Sequence, residues 1–267
     1  MITLLKLGGS LITNKEKPHS VRTETIRRVG FEIKEALDSD PDIKLILGHG
    51  SGSFGHVPAS RYHTLDGVQT SSEWRGFAEV HAEADELNKI TVSILRGCGL
   101  PILGFSPLSS VFTRNRKVTR WNIDPIFQSI LHGLIPLIYG DTVLDSALGG
   151  TILSTEELFA ALAIKSPKPV RILLAGIEEG IWKDYQKKDS LIKEMDLSDP
   201  ENMERDFIKQ SAYTDVTGGM FSKVQSMEEL IRKNLIQEAL IFSGEKQGNI
   251  KAALLGGTPG TKIFRSV

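Results

Sequence analysis

The sequence predicts an α/β protein built on a mostly parallel sheet with helices on both faces. Two observations carry this. Short runs that are apolar at nearly every position alternate with amphipathic stretches. Strands buried on both faces and separated by helices belong in parallel sheets covered on both sides. In addition, five of the apolar runs end in glycine, as LGG, GHG, YGD, AGI and FSG. Ligands of open α/β sheets bind beyond the carboxyl ends of the strands, and glycine there lets backbone approach a ligand closely.

The elements follow in order. ITLLKL, residues 2–7, reads as the first strand. Residues 23–38 place Ile26, Val29, Ile33 and Leu37 at spacings of three and four, one face of a helix. IKLILGHG, residues 43–50, is the next strand, and residues 72–95 form a long helix. LPILGF, residues 100–105, and LIPLIYGD, residues 134–141, read as buried strands with NIDPIFQSILH between them. Ser154 and Glu157 have the spacing of a capping box and predict a helix start. VRILLAG, residues 170–176, and EALIFSG, residues 238–244, are two further strands. FSKVQSMEELIRKNL is a helix with Val224, Met227, Leu230 and Ile231 on one face. The charged stretch 183–210 reads as a surface excursion, and SPKP, residues 166–169, as a hinge between two lobes.

The 267 residues suffice for one large α/β domain or two modest lobes. Lys and Arg number 32 against 33 Asp and Glu, a formal net charge of −1. That balance argues against nucleic acid or an anionic membrane as the main partner. Positive charge for an anionic ligand must be local. Cys98 is the only cysteine, which points to a reducing compartment. The opening MITLLKLGGS is too short and too interrupted for a signal peptide, and no run reaches the roughly 18 apolar residues of a membrane span. The expected localisation is cytoplasmic.

Three glycine loops carry the chemistry. In KLGGS, Gly8 and Gly9 let successive N–H groups face one concavity, Ser10 adds a hydroxyl, and Lys6 supplies a cation. In GHGSGSFGH, residues 48–56, Gly50, Gly52 and Gly55 admit a ligand to the backbone, and His49 and His56 bracket the loop. His56 can donate to a phosphate. Phe54 reads as packing, and His19, His63, His81 and His132 as satisfied histidines. In DVTGGM, residues 215–220, a glycine pair precedes a helix whose free N–H groups favour an anion, with Lys223 about one turn inside. Phosphoryl transfer needs this kind of set: in-line positioning and positive charge around the moving group.

Taken together, KLGGS, HGSGSFGH, YGD and DVTGGM with Lys223 resemble the amino acid kinase superfamily, and GSFGH resembles its isopentenyl phosphate kinase branch. The resemblance spans nearly the whole chain. It implies an open αβα sandwich, ATP-dependent phosphorylation of isopentenyl phosphate, Mg²⁺ bridging the ATP phosphates, and a homodimer. It implies an acceptor lobe at residues 1–165 and a nucleotide lobe at 166–267 on one continuous sheet. By matching, Lys6, Gly8, Gly9 and Ser10 meet the ATP phosphates, and Lys15 stabilises the transition state. Ser51 and His56 contact the acceptor phosphate, while Gly52, Gly180, Gly219 and Lys223 contact the nucleotide. Asp141 has an organising role, holding Lys6. No protein metal ligand is implied.

Two departures stand out. Where the family has an ISGD-like turn, this chain has GGTILSTEELF, with Thr155 in the place of an acceptor-binding glycine and Glu156 in the place of the aspartate. Where the family has a TDVDG-like turn, this chain has AGIEEG, keeping Gly180. Val80, Ile90 and Ile94 are candidates for an apolar acceptor wall, although core packing explains each equally. Two alternatives stay open: the same fold acting on another phosphate or phosphonate of the fosfomycin type, and a non-catalytic nucleotide-binding or storage protein.

Overall fold

The structure is a computed structural model that describes residues 1–14, 16–184, 187–199 and 219–266, with the side chains of residues 56–58 left aside. Lys15, residues 185, 186 and 200–210 of the charged excursion, and residues 215–218 of the third glycine loop lie outside the described residues.

Strand β1 (Ile2–Leu7) leads through a short helix α1 (Gly9–Ile12) to α2 (Thr23–Ser39) and β2 (Lys44–His49). Helices α3 (Gly52–Arg61) and α4 (Ser71–Gly97) follow, then β3 (Ile102–Phe105), β4 (Val111–Arg114), β5 (Lys117–Trp121), α5 (Asp124–Leu131), β6 (Ile135–Tyr139), β7 (Asp141–Asp145) and β8 (Gly149–Leu153). The rest of the chain gives α6 (Thr155–Lys165), β9 (Val170–Gly176), β10 (Ile181–Asp184), β11 (Asp189–Ile192), β12 (Glu194–Asp196), α7 (Gly219–Arg232), β13 (Glu238–Ser243), α8 (Asn249–Leu254) and β14 (Thr261–Phe264).

Among the described residues, the main sheet has eight strands in the order β12-β14-β13-β9-β1-β2-β6-β3. Every neighbouring pair is parallel except β13 with β14. The expected parallel α/β sheet is therefore present, and its strands come from both proposed lobes. The chain leaves β1 toward β2 on one side and returns at β9 on the other. A crevice opens at such a reversal of strand order, at the carboxyl edge.

Side chains alternate across β1, and this splits the core in two. Ile2 and Leu4 pack with Leu158, Phe159, Met227 and Ile231 on the α6 and α7 face. Leu5 and Leu7 pack with Ile26, Val29, Ile33 and Leu87 on the α2 and α4 face. All these residues are buried. Lys6 shares the face of Ile2 and Leu4, so the pleat aims its ammonium toward α6.

Three features differ from the sequence-based expectation. The run 134–141 divides at Gly140: β6 stays in the main sheet, its last ladder bond running from Gly140 N–H to His49 O at 3.2 Å, and β7 pairs with β8 and β4 in a second sheet. A second, four-stranded sheet, β5-β4-β7-β8, was not foreseen. The charged excursion also carries structure: β12 pairs with β14 at the sheet edge.

Candidate active site

A cleft of about 580 Å³ opens at the carboxyl edge of the main sheet. Its walls include Lys6, Gly8, Gly9, Ser10, Ser51, Gly52, Asp141, Thr155 and Lys223, nine of the predicted site residues. Register explains the convergence. Leu7 stands opposite His49 on one side and Ala175 on the other, so the turns after β1, β2 and β9 leave the sheet at one level.

The first two glycine loops form one unit. Each is completed by a helix start, α1 at Gly9 and α3 at Gly52, rather than being loop throughout. A Cβ on Gly9 would lie 2.5 Å from Gly52 N. Gly52 has φ +54°, and a Cβ there would fall 2.1 Å from Thr13 Oγ1. Thr13 stitches the two turns: its hydroxyl donates to Gly9 O at 2.8 Å and accepts from Ser53 N–H at 2.9 Å. Sequence reasoning missed Thr13, which gave no signal beyond following the LI of α1.

Lys6 forms an ion pair with Glu156 in the first turn of α6, with both side chains nearly buried. Burial alone would raise the Glu156 carboxyl, but the charge and hydrogen bond of Lys6, helped by the charge of Lys223, hold it below the ordinary glutamate value. Asp141, expected to hold Lys6, instead faces His81. The His81 Nδ1 lies 3.0 and 3.1 Å from the two Asp141 oxygens, and Thr142 N–H donates to Asp141 at 2.7 Å. Hydrogen bonding to Asp141 raises the His81 pKa, while burial raises that of Asp141. His81 is thus a satisfied histidine, but one tied to a cleft residue. The sequence offered YGD for Asp141 and nothing that marked Glu156 beyond its place in the departed turn.

Thr155 lines the cleft, yet its hydroxyl donates to His49 O at 2.6 Å and is spent there. The Ser154–Glu157 capping box forms as predicted. His49 is buried, with Nδ1 3.1 Å from Gly50 O, Nε2 3.4 Å from Asn88 Oδ1, and its ring stacked on Tyr139. Burial lowers its pKa to about 4, so the imidazole is neutral at physiological pH.

Among the described residues, one predicted residue is not brought to the cleft wall. Gly180 packs against β14, where a Cβ would meet Thr261 Oγ1 at 2.6 Å. Gly219 begins α7, the helix that delivers Lys223. His56 lies within α3, with its side chain outside the description. Of the apolar candidates, Val80 lines the cleft, whereas Ile90 and Ile94 pack against the α2 and α4 core. Ala84, Ile152 and Leu153 extend the apolar wall.

A parallel sheet whose glycine turns and two lysines meet at the carboxyl edge defines a phosphate-handling α/β protein. The chain belongs to the amino acid kinase family, whose model matches residues 1–243. It is 33% identical to an isopentenyl phosphate kinase of Methanocaldococcus jannaschii, with 98% of each chain covered. It is 29% identical to an isopentenyl phosphate kinase of Methanothermobacter thermautotrophicus, with 95% of each covered. A solved isopentenyl phosphate kinase structure superimposes with a TM-score of 0.78 at 24% identity, covering 98% of this chain and 100% of that one, which shows the shared fold.

Proposed function

We propose that the protein transfers the γ-phosphoryl group of ATP to isopentenyl phosphate, giving isopentenyl diphosphate and ADP. The observation that carries this reading is the meeting of Lys6, Lys223 and the Gly9–Gly52 turns on one cleft that also has an apolar wall. Full-length similarity to named isopentenyl phosphate kinases supports it.

An oxygen of the acceptor phosphate attacks the γ-phosphorus while the bond to the β-phosphate oxygen breaks. Lys6 and Lys223 offset charge on the moving group, and the N–H groups of Gly9 and Ser10 position the nucleotide phosphates; Gly8, expected to share that task, donates its N–H to Ala175 O at 2.8 Å instead. Ser51 and His56 receive the acceptor phosphate, with the corner at Thr155 closing that side. Gly52 contributes backbone next to the ATP. Lys15 adds charge in the transition state. Glu156 holds Lys6, and Asp141 with His81 braces the floor. Val80, Ala84 and Ile152 accept the hydrocarbon tail. Residues 1–165 form the acceptor lobe and 166–267 the nucleotide lobe, with the glycine turns after β1 and β2 reaching the nucleotide phosphates from the first lobe. Mg²⁺ arrives as part of the MgATP substrate: Glu156 and Asp141 are engaged with Lys6 and His81, and divalent ions at such sites are commonly held through phosphates. We place the enzyme in the cytoplasm as a homodimer in isoprenoid biosynthesis.

Two other readings compete, the same transfer to another phosphate or phosphonate, and a non-catalytic nucleotide-binding or storage protein, for which Thr155 and Glu156 in place of Gly and Asp speak. A single assay separates them: ATP, Mg²⁺ and a panel of alkyl monophosphates and phosphonates, read as ADP release. Isopentenyl phosphate should give the highest kcat/KM. Turnover of a phosphonate with none of isopentenyl phosphate overturns the proposal, and nucleotide binding without any turnover identifies a storage protein.

A further inference from the structure

Arg116 also lines the cleft. It sits in the turn between β4 and β5 at φ +64°, anchored by its N–H donating to Asp145 Oδ2 at 2.8 Å. Its side chain leaves the second sheet and reaches the corner where β8 becomes α6. Nη1 donates to Ile152 O at 2.9 Å and to Thr151 Oγ1 at 3.3 Å. Nη2 donates to Glu157 Oε1 at 2.7 Å. The other Glu157 oxygen accepts Ser154 N–H at 2.7 Å and closes the capping box.

The start of α6 therefore presents two adjacent carboxylates, Glu156 and Glu157, to the cleft. Each is covered by a cation from another element, Lys6 from β1 and Arg116 from the β4–β5 turn. In the proposed transfer the acceptor phosphate settles at this corner. An uncovered carboxylate there would repel them and offset the favourable potential of the helix start.

We propose that Arg116 determines acceptor affinity by cancelling the charge of Glu157, so that a phosphate can occupy the start of α6. This rests on the reading of the cleft as an acceptor site for a phosphate monoester. Glu157 is well suited to test it, because glutamine also closes a capping box at this position. Its charge can be removed while the cap is kept.

The experiment compares wild type, R116K, R116Q, E157Q and R116Q/E157Q. Acceptor affinity is read as KM for isopentenyl phosphate, and separately as Kd for inorganic phosphate in the presence of ADP. R116Q should raise both by about tenfold at low salt, with kcat changed less than threefold, and the rise should shrink as ionic strength grows. R116K should stay within threefold of wild type. The double variant should recover most of the loss, because the uncovered charge is gone. A double variant no better than R116Q would overturn the proposal and leave Arg116 a purely structural tie. Unchanged affinity in R116Q would overturn it equally. If wild type fails to turn over isopentenyl phosphate while phosphate binding follows the expected pattern, the acceptor has been misassigned and the role of Arg116 stands.

Discussion

Glu156, in the first turn of α6, grips the ammonium of Lys6 from across the cleft. The pair links the central strand to the helix that covers one face of the sheet. It also fills the role that the sequence assigned to Asp141. Replacing Glu156 with Gln keeps the shape and removes the charge that holds Lys6. Turnover should fall about a hundredfold, the scale of a misplaced reacting group. Glu156→Asp should recover part of the loss. Steady-state kinetics with saturating ATP decide it, and unchanged kcat in the Gln variant would remove Glu156 from the machinery.

The Gly9–Gly52 contact leaves no room for a methyl group. Gly52→Ala combines left-handed backbone with a collision against Thr13, and should cost about 2–5 kcal/mol. Gly133 also has positive φ, +74°, but open space around its Cβ position. Gly133→Ala should cost only about 1–2 kcal/mol, the backbone part alone. Urea midpoints of the two variants separate steric from conformational cost. Equal losses would contradict the interlocked turns.

His49 predicts a pH dependence with a definite sign. Its folded pKa, about 4, lies below the unfolded 6.5. The stability it contributes is complete above pH 6.5 and is lost as pH falls from 6.5 toward 4, because the unfolded chain binds the proton more readily. The gap between these two values corresponds to about 3 kcal/mol. His49→Gln should flatten the stability curve between pH 6.5 and 4. An equally steep curve in the variant would assign the acid loss to other groups.

His56→Ala tests the second glycine loop. Acceptor-dependent ADP formation should drop about a hundredfold or more if this side chain donates to the acceptor phosphate in the transition state. Nucleotide affinity, measured by calorimetry, should stay within threefold. Undiminished ADP formation would remove His56 from the reaction.

The sheet was legible because its central strands are apolar on both faces and end in glycine. Lys6, Gly9, Ser51, Gly52 and Lys223 were legible from the same strands and glycines: Lys6 lies near the end of β1, Gly9, Ser51 and Gly52 follow β1 and β2, and Lys223 lies about one turn inside α7. The second sheet was not. VFTR and KVTRW are short and half exposed, so their pattern competes poorly with that of a loop. Asp145, which gathers the N–H groups of Asn115, Arg116, Ala147 and Leu148, organises that sheet and has no local signature. Partnerships between distant side chains were equally invisible. Glu156 with Lys6, His81 with Asp141, and Thr13 between the turns depend on strand order, which no periodicity encodes.

The place of β1 in the middle of the sheet bears on how the molecule is made. Ile2 stands opposite Lys44 on one edge and opposite Val170 on the other. A chain emerging from the ribosome can zip the first edge early. The second stays bare until more than half of the polypeptide has been synthesised. Maturation of the phosphate-gathering crevice is therefore a late event, gated by loop closure over a long separation. Until then the nascent amino-terminal half carries an open, greasy strand edge, the kind of surface that chaperones shield.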